Sequence, residues 1–154
     1  MAMGDGSKEG ENSLIWPDSE DDAPAEIQLI TYVNNSGGNP GIVCRRQDGS
    51  TKVNVQVNAD NSQVGIYEYT NGNRRDDIAS TTGDLSSWTR MRFTVWEDAD
   101  TLLARVEADD GSGFSILERD FLIDSPNFGG GGCGLAYQTS KQGATVYDET
   151  ELYY

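Results

Sequence analysis

The sequence predicts an all-β protein, a two-sheet antiparallel β-sandwich preceded by an extended N-terminal arm. Three observations carry the prediction. From residue 26 to the C-terminus, apolar and polar residues alternate in short runs. Clusters of Gly, Asn, Asp and Ser separate these runs, and no convincing stretch repeats apolar residues at helical spacing. Period-2 alternation is the pattern of a strand with one buried and one wet face. About ten such strands at roughly 8–12-residue spacing describe a sandwich or a barrel.

Residues 1–24 form the arm. "MAMGDGSKEGENS" and "PDSEDDAP" are dominated by Gly, Ser, Asp and Glu, a composition that cannot bury enough apolar surface to fold alone. Leu14, Ile15 and Trp16 are its apolar anchor. They read either as an assembly contact on a neighbouring subunit or as a strand on the chain's own sandwich. The domain proper spans 25–154. "IQLITYV", "KVNVQV" and "VGIYEY" alternate in turn. "RMRFTVWE" sets Met91, Phe93 and Val95 on one face against Arg92, Thr94 and Trp96, and "LLARVEA" groups Leu102, Ala104 and Val106. "FSILERDF" and the closing "ATVYDETELYY" continue the pattern. The segments between them, "QDGS", "ADNS", "TNGN", "EDADT" and "DDGSG", carry the Gly, Asn and Asp that tight turns require.

Composition bounds the function. Twenty-six acids face eleven bases, for a net charge of −15. Lys8, Lys52 and Lys141 are the lysines, the other bases are arginine, and aspartate outnumbers glutamate. Molar salt, with a screening length of about 3 Å, removes the self-repulsion of such a chain, and the composition resembles that of haloarchaeal proteins and their viruses. A nucleic-acid partner is not expected, because phosphate binding needs a basic patch. Neither is membrane insertion, because no apolar run approaches the ~18 residues that cross a bilayer. The N-terminus shows no apolar signal-peptide core. With no histidine and no CxxC, a zinc site and the Ser-His or Cys-His nucleophile pairs fall away. Cys44 and Cys133 read as buried free thiols in preference to a bridge. "NNS" at Asn34 is a lone glycosylation sequon, read as lying in a loop.

The order of the strands is similar to that of a known superfamily. "GIVCRRQDGSTKVNVQVN" resembles a hairpin in which a Gly-apolar-Arg strand runs through an Asp turn into an alternating strand. "VGIYEYTNGNRRDDIAST" matches a short strand, an Asn-Gly turn and a further strand. "LSSWTRMRFTVWEDADTLLARVEADDG" resembles a Trp-led strand, a charged turn and its return strand, and "GGCGLAYQTSKQGATVYDETELYY" the two closing strands. Together they resemble the laminin-G-like domains of the concanavalin A-like lectin/glucanase superfamily. The fold implied is a concanavalin A-like jelly roll.

The resemblance sets the candidate sites. Glucanases of this fold carry E-x-D-x-x-E on one strand, because the chemistry needs two carboxyls about 5.5 Å apart across a sugar. The motif is missing here. In "YDETE", strict alternation puts Glu149 and Glu151 on one face and Asp148 on the other, so these acids read as the wet side of the last strand and no enzyme is expected. Related modules often hold Ca²⁺, which takes six to eight oxygens. Asp148 is the candidate by resemblance, with Asp98 and Asp100 in "EDAD" and Asp109 and Asp110 in "ADDG" as loop alternatives. For carbohydrate, Tyr67 and Tyr69 share a face beside Asn71 and Asn73 and could form a stacking platform. The same two rings could equally face the core. Trp88 is expected in the core, and Trp96 could lie on either side.

The functional expectation is a non-enzymatic structural or attachment subunit, most concretely a virion surface component (capsid decoration, turret, spike or tail protein) of a halophilic virus. It would associate with copies of itself and other subunits and could contact host-surface glycans. The alternative is a lectin-like carbohydrate-binding module of a halophile.

Overall fold

The computed structural model describes residues 2–3, 10–15, 26–58, 61–81, 89–127 and 129–153. Its elements are all strands: β1 (Ala2–Met3), β2 (Gly10–Ile15), β3 (Glu26–Arg46), β4 (Lys52–Asn58), β5 (Gln63–Thr70), β6 (Asn73–Ser80), β7 (Thr89–Asp98), β8 (Thr101–Asp109), β9 (Phe114–Ile116), β10 (Phe121–Asp124) and β11 (Gly132–Tyr153). Every pairing is antiparallel.

Two long strands organise the sandwich. Residues 26–33 of β3 pair with β7, whereas residues 41–44 pair with β4. β11 follows β3 along both stretches. Each therefore passes from one sheet into the other. Sheet I runs β10-β8-β7-β3-β11-β1, with β9 beside the far end of β8. Sheet II runs β6-β5-β4-β3-β11-β2. The sequon at Asn34 lies within β3 in register with Val146, not in a loop.

The core sits between the sheets. Ile27, Leu29, Met91, Phe93, Val95, Leu102, Ala104, Val106 and Phe121 come from sheet I. Ile42, Val53, Val55, Val57, Val64 and Ile66 come from sheet II. The alternation of β7 and β8 thus translates directly into their inner and outer faces. Cys44 and Cys133 are free thiols buried in this core on neighbouring strands. Burial, partly opposed by Arg45, pushes the Cys44 thiol up to about 12.

Polar groups close one side of the sandwich. Glu68 on β5 points inward, opposite Val53, with its side chain fully buried. It accepts hydrogen bonds from Arg75 Nε at 2.8 Å and from the Asn127 backbone N–H at 2.7 Å. Arg75 in turn donates to the carbonyls of Asp124 and Ser125. Nearby, Asp77 of β6 accepts from both Nη groups of Arg119 and from the Leu122 N–H. These contacts tie the β5–β6 edge of sheet II to β10 of sheet I. At the opposite bend, the fully buried Tyr147 hydroxyl accepts from the Gly41 N–H at 2.8 Å and donates to the Ala136 carbonyl.

Candidate functional site

The outward face of sheet II follows from its inward one. With Val53, Val55 and Val57 in the core, Lys52, Asn54 and Gln56 must point away from it. The register then assembles three rows across the sheet. One holds Val43, Asn54, Tyr67 and Asp76. The next holds Gly41, Gln56, Gly65 and Ile78. The third sets Lys52 beside Tyr69 and Arg74. Glycine on both sides of Gln56 means that neither neighbour in its row carries a side chain over its amide.

Two cations and one acid lie on this face. Arg74 pairs with Asp76 at 2.7 Å and lies 5.6 Å from the centre of the Tyr67 ring. Lys52 Nζ lies 5.5 Å from the centre of Tyr69. Such cation–ring contacts contribute about 0.5–1 kcal/mol where exposed and more where dry. The inner part of the face is dry: Asn54 is 1%, Gln56 2% and Tyr67 8% exposed. Gln56 Nε2 is buried without a hydrogen-bond partner. An orphaned donor of this kind costs about 1–3 kcal/mol. The exposed end of the face is at β6, where the Arg74 side chain is 53% exposed.

The sequence-predicted residues divide into groups. Tyr67 and Tyr69 come together on this outward face, away from the core, although Tyr67 is covered and capped by Arg74 where an open platform was expected. Asn71 and Asn73 lie at the exposed end of the β5–β6 hairpin. Asn71 takes the left-handed conformation (φ 51°) ahead of Gly72 (φ 80°), which two-residue hairpin turns demand; its N–H donates to Thr51 Oγ1. Lys52, Asn54, Gln56, Arg74 and Asp76 were not singled out from the sequence. The signal was available in "KVNVQV", whose polar residues occupy alternate positions opposite a row of valines.

The metal candidates do not gather. Among the described residues, no group of three or more His, Cys, Asp or Glu is arranged to hold an ion. Asp148 aligns with Tyr32, which pairs with Arg90. Asp98 lies at the other end of β7, about 26 Å away at strand rise, so Asp148 cannot share an ion with Asp98 and Asp100. Asp109 and Asp110 bind N–H groups of their own turn instead, Asp109 to Gly111 and Asp110 to Ser112. The alternation read into "YDETE" is also corrected. A register shift between Asp148 and Glu151, with Glu149 at φ 48°, leaves Asp148 opposite Tyr32 and Glu151 opposite Ile30. A bulge adds one residue and resets the phase, so Asp148 and Glu151 share the outer face of sheet I. The backbone of Leu14 and Ile15 pairs with Leu135 and Gly134 of β11, and Trp16 and Trp88 lie outside the described residues.

No protein-family model matches the sequence, and no curated protein resembles it in sequence. Solved structures do match. The carbohydrate-binding module CBM66 from Bacillus subtilis superposes with a TM-score of 0.67 at 14% identity, covering 96% of this chain and 84% of that one. The toad ovary galectin in complex with thio-digalactose gives 0.57 at 6% identity, over 93% of this chain and 98% of its own. The Bacillus licheniformis β-glucanase gives 0.54 at 14% identity, over 93% and 70%. The fold is that of the concanavalin A-like lectins and glucanases. At these identities the likeness concerns the fold, and function must come from the residues.

Proposed function

We propose that this chain is a non-catalytic carbohydrate-binding module whose glycan site is the outward face of β4, β5 and β6. The observation that carries the reading is the set of side chains that share this face. Two tyrosines, two amides and the Arg74–Asp76 pair face one way around a buried, unpartnered Gln56 Nε2. Amides and ion pairs offer a sugar hydroxyl donors and acceptors at once, and the half-buried Tyr69 ring offers an apolar surface to its C–H face. The solved structures with this fold that are carbohydrate-binding modules or sugar complexes support the same class of ligand. Catalysis is not proposed. Glycoside hydrolysis needs two carboxyls, and Asp76 is the sole acid on this face among the described residues.

A glycan array followed by titration of the strongest hit tests this site. Gln56→Ala and Tyr67→Ala are each expected to weaken binding about tenfold, or ~1.4 kcal/mol, while melting shows an intact fold. Unchanged affinity in both would remove β4–β6 as the site.

We propose a second reading, a surface subunit of a larger assembly such as a virion in a high-salt setting, on two observations. β2 from the arm is an edge strand, paired among the described residues with β11 alone, and such edges add strands from other chains. The net charge of −15 fits molar salt. Light scattering in molar salt should then show an oligomer that dissociates when residues 1–24 are removed. The melting temperature should fall as salt drops below roughly 0.5 M and repulsion is unscreened. A monomer with or without the arm, or a salt-independent melting temperature, would count against this setting.

A further inference from the structure

The outward face of sheet I carries a groove that the proposed site does not use. It lies over β3, β7 and β8 and has a volume of about 380 Å³. Three rows of the sheet build it. Trp96 lies beside Glu26, Thr94 stands between Gln28 and Arg105, and Arg92 pairs across to Glu107. Trp96 and Arg92 are four residues apart on one strand, so the groove extends about 13 Å at strand rise.

The chemistry of the lining selects a ligand class. Trp96 is half-buried and lies against the Arg105 guanidinium, 5.5 Å from its ring centre. Arg92 and Glu107 form a two-pronged ion pair, with both contacts at 2.6 Å. Arg105 makes a second such pair with Asp120, at 2.6 and 2.7 Å. Each pair sets a fixed donor beside a fixed acceptor, the arrangement that matches two adjacent hydroxyls. Both arginines are already neutralised by carboxylates, and the whole chain is strongly acidic, so an anion gains nothing here. The volume lies near the lower end for small-molecule sites, which limits the occupant to a few rings.

From this geometry we infer a second saccharide site, on the sheet opposite the first, that takes a neutral mono- or disaccharide by stacking on Trp96 and bonding to the Arg92–Glu107 pair and Gln28. The inference stands independently of the site on β4–β6, because no residue is shared.

The test uses the full chain and a panel of neutral disaccharides (lactose, maltose, mannobiose and sucrose), with digalacturonate as the anionic control, read by ligand-observed NMR and tryptophan fluorescence. At least one neutral disaccharide should bind at millimolar concentration or better. Trp96→Ala and Glu107→Gln should each weaken it tenfold or more, Trp96→Phe should weaken it less, and Tyr67→Ala should leave this component unchanged. Glu107→Gln preserves shape and Trp96→Phe preserves an aromatic ring, so the readout does not depend on Trp96→Ala folding. Binding of none of the four sugars, binding that survives Trp96→Ala and Glu107→Gln but disappears in Tyr67→Ala, or tighter binding of digalacturonate would each overturn the inference. The second of these outcomes would leave the β4–β6 site standing.

Discussion

Gly41→Ala is expected to destabilise the protein by more than about 3 kcal/mol and to lower its urea midpoint accordingly. A Cβ at position 41 would fall almost on the carbonyl oxygen of Val55 and 2.9 Å from Cγ of Gln56. Overpacking commonly costs about 1–3 kcal/mol when side chains can rotate away. Here the obstacle is the backbone of β4, in register with β3 at this point. Relief requires parting the two strands, which also breaks the hydrogen bond between the Gly41 N–H and the buried Tyr147 hydroxyl. Gly49→Ala is the control, because a Cβ there meets nothing within 4 Å, and surface changes of that kind fall within about 0.5 kcal/mol of neutral. Urea midpoints for the two variants decide the matter. Equal midpoints would mean that β3 and β4 are not held this closely.

Gly41 also shows where the sequence stops being readable. "GIVCRR" reads as a strand that opens on glycine. The reason for that glycine, close passage of a neighbouring backbone, depends on a strand pairing that no local pattern encodes. The same holds for β3 as a whole. "IQLITYV" and "GIVCRR" were legible as strands, but "NNSGG" between them looks like a turn, whereas it continues one strand from sheet I into sheet II. β7 and β8 were read correctly because each faces the core on one side and presents its polar residues on the other, which is all that alternation reports. β4 has the same alternation, yet its polar face is buried as well. That dryness, and with it the orphaned amide of Gln56, comes from tertiary packing. At the C-terminus, a bulge at Glu149 defeats the period-2 reading because its residues carry no glycine to announce it. Tyr67 and Tyr69 were legible as a pair, but the side of the sheet they occupy was settled by register alone.

Glu68→Ala should produce the second large effect, about 3 kcal/mol, the upper end for hydrogen bonds to a charged group, because the carboxylate is fully buried while its partner Arg75 is partly exposed. For a chain of this size that corresponds to a fall of roughly 6–12 °C in melting temperature. The carboxylate is fully buried and receives Arg75, the Asn127 N–H and the Asn127 side-chain amide. Its removal takes a shared acceptor from three donors at once, although Arg75 keeps the Asp124 and Ser125 carbonyls. Glu68→Gln keeps the volume and one acceptor, so it should lose less. The neighbouring Asp77 supplies a pH signature for the same edge. Hydrogen bonds from Arg119, reinforced by the Leu122 N–H, hold its carboxyl below the ordinary 3.8. A depressed carboxyl contributes its stability above the unfolded value and loses it as pH falls through the folded one. The edge should therefore weaken below about pH 4, and Asp77→Asn should flatten that part of the acid profile while Glu68→Gln retains Asp77's share. If Glu68→Ala melted with the wild type, the closure of the sandwich would rest on the apolar core alone, and the polar seam between β5, β6 and β10 would be a surface decoration.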